Sequence, residues 1–295
     1  PVFLFFIIPM FSFLEEIRKP ASGSEQSTLL PVFLFFIIPM FSFLEEIRSR
    51  NEILFWFGAV CFLFVLACLF LMWATDIKVL GINAWIKPLK FSLSTVFYCG
   101  AMAWFMHYLP DQGFVKPFSW AVVWLLGFEI VYIAIQAGRG ELSHFNLSNG
   151  FYSAMYSMMA LAASLVTIGT AYIGYQFFTL SFPELPVAYL WSIRLGILIF
   201  VIFSFEGFVM GSKLTHTIGG PDGGSGIPFL DWSTKFGDPR IAHFVGMHAL
   251  QVLPILGFYV LRSVPSVWAA ALIYGVLSVH LLLQALAGKP FISGQ

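Results

Sequence analysis

The stretch ILFWFGAVCFLFVLACLFLMWAT, residues 53–75, carries no charged side chain from end to end. A helix rises 1.5 Å per residue, so about 20 apolar residues suffice to cross the ~30 Å hydrocarbon core of a bilayer. Six further stretches meet that requirement, near 88–109, 118–138, 152–178, 187–212, 241–262 and 265–287. Backbone polar groups cannot stay unpaired in hydrocarbon, which leaves helices or closed barrels as spanning structures. These stretches are too long for the ~10-residue alternating strands of a barrel. The expected fold class is therefore all-α, an integral membrane helical bundle of about seven transmembrane helices.

Composition agrees. Of 295 residues 59% are hydrophobic and 10% charged, whereas a soluble domain is roughly half apolar and a quarter charged. Much of the surface must face lipid, which makes the bilayer the first partner. Trp56, Trp85, Trp120, Tyr189, Trp191 and Trp268 lie near the ends of the stretches, where an interfacial aromatic belt places them. A formal net charge of zero argues against nucleic acid as a partner. Cys61, Cys68 and Cys99 fall in apolar runs without CxxC spacing, so no disulfide framework is indicated.

Residues 1–50 read differently from the membrane domain at 51–290. The segment PVFLFFIIPMFSFLEEIR occurs twice without a difference, at 1–18 and 31–48, joined by the linker KPASGSEQSTLL. Old repeats drift apart in sequence, so exact identity points to a recent duplication or a misplaced gene start. Each copy is short for a span, consistent with an interfacial segment. Ser42 and Glu45 have the spacing of a capping box, and an interfacial helix is expected to start there. The natural chain is expected to begin near Met40, with residues 1–39 carrying no function.

If seven spans alternate, loops one, three and five and the C-terminus share one side. That side collects Lys78, Lys87, Lys90, Arg139, His144, Lys213, His216, Lys235, Arg240 and Lys289. Lys87 and Lys90, at the start of a span, read as headgroup anchors. The longest connection, residues 212–240, is rich in Gly and Pro and has no helical pattern; a loop of this length is usually a lid or binding loop. Its segment PFLDW is apolar enough to tuck back onto the helices.

Ionisable groups at mid-membrane cost roughly 2.5–3.5 kcal/mol on insertion scales and by default face the bundle interior, where they mark a site. Counted from the polar ends of their spans, His248, His280, Glu206 and Glu129 lie roughly 10–15 Å deep. Four helices thus place a His or Glu at one level. Gln136 shares a stripe with Glu129, Lys213 with Glu206, Gln251 with His248 and Gln284 with His280. His243 is offset around its helix from His248 and faces another neighbour, beside the lid. Metal ligands are expected at His248, His280 and Glu206, with Glu129 and Glu206 as the catalytic, proton-handling carboxylates. Gln136, Arg139, His144, Lys213, His216, Arg240, His243, Gln251 and Gln284 complete the candidate substrate or lid set.

Three functions fit such a set. Imidazole and carboxylate suit a transition metal, and two imidazoles from separate helices suit a haem, giving a metal- or haem-dependent enzyme or redox protein. The same groups suit a proton- or ion-coupled carrier or channel for a small molecule or ion. Buried His and Glu also simply tie helices together, as in a scaffold or assembly subunit.

The segments INAWIKPLKFS (82–92), QAGRGELSHFN (136–146) and RIAHFVGMHALQVLP (240–254) resemble those of a bacterial family of multi-pass membrane proteins without an assigned function. The resemblance covers about residues 40–290 and implies a bacterial inner-membrane location. The paired HxxxH of the seven-helix alkaline ceramidases is absent, since four residues separate His243 from His248.

Overall fold

The computed structural model describes residues 40–292 apart from Ser225 and Pro228; the first copy of the repeat and the linker lie outside the described residues. In chain order the elements are α1 (residues 40–50), α2 (Glu52–Ala74), β1 (Lys78–Val79), β2 (Ile82–Asn83), α3 (Ile86–Met106), α4 (Val115–Arg139), α5 (Gly150–Thr179), α6 (Val187–Lys213), α7 (Arg240–Met247), α8 (Ala249–Tyr259) and α9 (Val264–Leu286). The fold is all-α, a helical bundle whose two short strands make a single hairpin.

Among the described residues six units are long and apolar enough to cross a membrane: α2, α4, α5, α6, the α7–α8 pair and α9. The protein is a polytopic membrane protein. The seventh expected span, 88–109, is the helix α3, which is as long but carries Lys87, Lys90, Ser92 and Thr95. No residue of α3 is exposed. Sheathed by its neighbours, α3 is the wall of the bundle that can afford polar side chains, because none of them meets lipid.

The chain enters the bundle through α1, a surface helix already under way at residue 40, upstream of the start expected at Ser42. Glu45 with Arg48 and Glu46 with Arg50 pair within it, each at 2.8 Å. Asn51 then leaves helical geometry and caps α2, its Oδ1 accepting from the Leu54 amide at 3.0 Å. Its Nδ2 donates to Ser119 of α4 at 2.8 Å.

The α2–α3 connection is a tight hairpin in which Leu80 and Gly81 both have positive φ, the geometry that matches strand twist in two-residue turns. Trp85 locks it, its indole N–H donating to Thr75 Oγ1 at 3.0 Å. Helix α6 is the axis of the bundle: half of its most apolar window is buried, against 22% for α9. It packs on α5, α7, α8 and α9. A Cβ at Gly196 would meet the Ala249 carbonyl at 2.8 Å, and one at Gly246 would overlap the Phe203 ring, so glycine sets how closely α7 and α8 approach α6.

The expected single span 241–262 is divided. Between α7 and α8 the His248 amide is shared by the Phe244 and Val245 carbonyls, and the Gln251 amide bonds His248 at three residues' distance, a tightened 3₁₀-like turn.

Loops one, three and five and the C-terminal end meet at one end of the bundle. The 214–239 connection folds back as a cap. Ile218 and Gly237 pair antiparallel, and Gly226 pairs with Ser233. Gly237 lies against the α9 backbone so closely that a Cβ would overlap the Ala285 carbonyl, and Gly223 abuts the Leu80 carbonyl. Asp238, almost fully buried, accepts from the Ser233 amide at 2.9 Å and from the Arg240 guanidinium.

Candidate functional site

Under the cap lies a cavity of about 510 Å³ walled by α3, α4, α5, α6 and the α7–α8 pair, a size typical of small-molecule sites. It has two zones. At the mouth stand Lys87, Lys90, His144, His216, Asp222, Asp231 and Arg240; deeper walls include Phe91, Leu126, Ile133, Met159, Phe200 and Met247. From Lys87 to Tyr98 along α3 the cavity descends about 16 Å at the helical rise, roughly halfway through a bilayer core. Tyr98 is its floor. The Tyr98 hydroxyl donates to Thr170 Oγ1 at 2.7 Å, since the Thr170 hydroxyl is itself committed to the Val166 carbonyl at 2.8 Å. Phe200 stacks on the Tyr98 ring with centroids 5.8 Å apart.

The cations at the mouth differ in their partners. Arg240 is held by Asp238 at 2.6 Å and by Asp231 at 3.6 Å. Lys90 donates to the Leu230 carbonyl of the cap at 3.0 Å. Neither Lys87 nor Lys90 has a carboxylate within ion-pair distance among the described residues. The spacing of three in IKPLK puts both ammonium groups on one face of α3.

Asp222 is the most heavily bonded acid of the cap. It accepts from Thr215 Oγ1 at 2.7 Å, Thr217 Oγ1 at 2.6 Å, the His216 amide at 3.0 Å and His216 Nδ1 at 2.9 Å. Burial pushes its carboxyl up, but these bonds, His216's above all, outweigh it and hold Asp222 below the usual carboxylate range. For His216, burial dominates and lowers the imidazole to about 4; Lys87 and Arg240 add to the shift and Asp222 opposes it. At neutral pH the contact is thus a hydrogen bond from a neutral ring to a carboxylate, not an ion pair. Nδ1 carries the proton, and Nε2 keeps its lone pair. The ring lies against Phe145 at 4.7 Å. His144, with Nδ1 3.1 Å from Ser143 Oγ, is pushed well below its ordinary range by burial, with Lys87 and His216 adding to it. Burial raises the Asp231 carboxyl against the pull of Arg240 and Lys90.

The residues expected from sequence divide into two groups. Glu129, His144, His216, Arg240, His243, His248 and Gln251 line the cavity. Glu129 is 5% exposed, and its Oε1 has no hydrogen-bond partner. His243 Nδ1 lies 3.3 Å from Glu206 Oε2, close but not aligned as a hydrogen bond, and Glu206 itself is not part of the cavity lining. His248 donates from Nδ1 to the Phe244 carbonyl at 2.7 Å. The others lie elsewhere. His280 is exposed on the outer face of α9, so the expected meeting of His248, His280 and Glu206 around one ion does not occur. Lys213 is exposed at the end of α6. Arg139 donates to the Tyr152 hydroxyl at 3.1 Å, Gln136 is buried and holds the Leu142 carbonyl at 3.0 Å, and Gln284 donates to the Pro290 carbonyl at 2.7 Å. Among the described residues no group of three His, Cys, Asp or Glu side chains is placed to hold a metal ion.

Sequence reasoning passed over Lys87 and Lys90 as headgroup anchors and did not single out Asp222, Asp231 or Tyr98. The signal for the lysines was their place at the start of the least apolar of the long helices.

Comparison with known proteins gave no match: no family model, curated protein or solved structure is similar to this chain.

Proposed function

We propose that this membrane protein binds an anionic amphiphile, a small molecule with a carboxylate or phosphate head and an apolar body. The head rests on Lys87 and Lys90 under the cap, and the body fills the aromatic and aliphatic walls above Tyr98. One observation carries this reading: two half-buried lysine amines line an otherwise largely apolar cavity with no carboxylate in ion-pair reach among the described residues. Burial pulls Lys87 down to about 7 and Lys90 to about 8, and a bound anion offsets that burial by favouring the charged form of both amines. Glu129, deeper in the wall, is then the polar group that a hydroxyl or amide of the ligand meets.

The metal or haem reading loses His280 as a ligand, and the transport reading shares the cavity. The bacterial inner membrane is the location the family resemblance implies.

Titration of the purified protein in detergent with decanoate, decyl phosphate and decanol, followed by tryptophan fluorescence or calorimetry, tests the reading. Both anions are expected to bind more tightly than decanol, and Lys87→Gln with Lys90→Gln to weaken the anions at least about tenfold, the effect of ~1.4 kcal/mol. Equal affinity for decanol and decanoate, or anion binding indifferent to the double substitution, overturns it.

A further inference from the structure

We propose that the protein hydrolyses a carboxylic ester of the bound amphiphile, with His216 as the general base and Asp222 as its positioning residue. This inference rests on the binding reading above and adds a reaction to it.

The geometry is that of a base held by an orienting acid. Asp222 is itself fixed by two threonine hydroxyls and a backbone amide, and it fixes His216 through Nδ1 at 2.9 Å. Phe145 packs on the ring and limits its rotation. Nε2 is left as an acceptor on a ring that lines the cavity, with no hydrogen bond from the described residues. A turn held by Asp222 needs no imidazole on the cavity wall; a hydrolytic site does.

The other groups around His216 fit the same chemistry. They come from α3 (Lys87, Lys90), the α4–α5 loop (His144), the cap (Asp222, Asp231) and α7 (Arg240, His243). In the reaction a water oxygen bonds to the acyl carbon while its proton passes to His216 Nε2. The negative charge that develops on the carbonyl oxygen is stabilised by the field of the lysines that hold the head. The acyl carbon–oxygen bond then breaks, and Nε2 returns the proton to the departing alkoxide. Water is the only co-reactant, and an acid and an alcohol are the products. Lys87 is among the causes that hold His216 down, so an anionic substrate resting on Lys87 offsets that field and strengthens the base.

The test uses the full chain in lipid nanodiscs and 1-decanoyl-glycerol 3-phosphate, which carries a phosphate head, one ester and one tail. Release of decanoate is expected, with one oxygen from ¹⁸O-labelled water in the acid. His216→Gln is expected to lower kcat about 100-fold or more, the usual contribution of a general base, while leaving the probe's Kd and KM nearly unchanged. Asp222→Asn is expected to lower kcat and move the acid limb of the pH–rate profile downward, which a purely loop-holding carboxylate would not do. If either variant fails to fold, the isotope incorporation and the wild-type acid limb still decide the matter. A probe that binds but stays intact, or hydrolysis unaffected by His216→Gln, overturns this inference and leaves the binding reading standing. A probe that does not bind removes both.

Discussion

His144 and His216 are both kept neutral by burial at the cavity mouth, and through them the stability of the fold depends on pH. A folded-state pKa below the unfolded value of 6.5 means that the unfolded chain takes up protons the folded one refuses. The stabilisation is complete above pH 6.5 and is lost as pH falls toward about 4 for His216. At ~1.4 kcal/mol per pH unit of depression, His216 accounts for at most about 3.5 kcal/mol, less for the part of the ring that is solvated. The melting temperature in detergent is therefore expected to drop steadily between pH 6.5 and 4.5, and His216→Gln to flatten that slope; a wild-type curve flat across this window contradicts the burial of both rings. Glu129 gives a second prediction at this scale. An unpartnered buried carboxyl costs about 1–3 kcal/mol, so Glu129→Met is expected to raise the melting temperature while altering ligand preference. Unchanged stability would mean that Oε1 has a partner in the membrane. Depth along a helix is legible in sequence, which is why Glu129, Glu206 and His248 were found as polar residues inside the bundle. Azimuth is not. Leu272, Ile273, Val276, Leu277, Val279 and Leu283 are all exposed on α9, so its lipid face is as apolar as its core face and gives no sign of which way His280 points.

The elements that shape the cavity depend on where small residues allow backbones to meet. Gly196→Val puts side-chain atoms into the Ala249 carbonyl, a backbone group that cannot rotate away. It is expected to push α8 off α6 and lower the melting temperature by many degrees. Gly100→Ala meets nothing within 4 Å and is expected to be neutral or slightly stabilising, since Ala is the better helix former by roughly 0.5–1 kcal/mol. Equal behaviour of the two variants would rule out close α6–α8 packing. For the cap, Gly237→Ala forces the loop away from the Ala285 carbonyl and is expected to weaken ligand binding while the helical circular dichroism stays intact. The helices themselves were legible from apolar length alone. The break at His248 was not, because the turn there differs from the helix only in which carbonyl each amide meets. The sheathing of α3 was also hidden, since it depends on the arrangement of all its neighbours.

At the scale of the whole molecule, every loop group of the site sits at one end, and aromatic contacts gather at the other. Arg50 lies over Trp104 at 3.8 Å there, and Tyr108 packs edge-on to Tyr189. In the proposed binding reading the cavity works as a cup, with Tyr98 at its floor. The bottom of a cup also measures its contents. With the Tyr98–Thr170 contact about 16 Å below Lys87 at the helical rise, the ring acts as a ruler for tail length, and Tyr98→Ala is expected to admit longer chains in a homologous series of alkyl phosphates. An unaltered length cutoff in that series would place the end of the tail somewhere other than this ring.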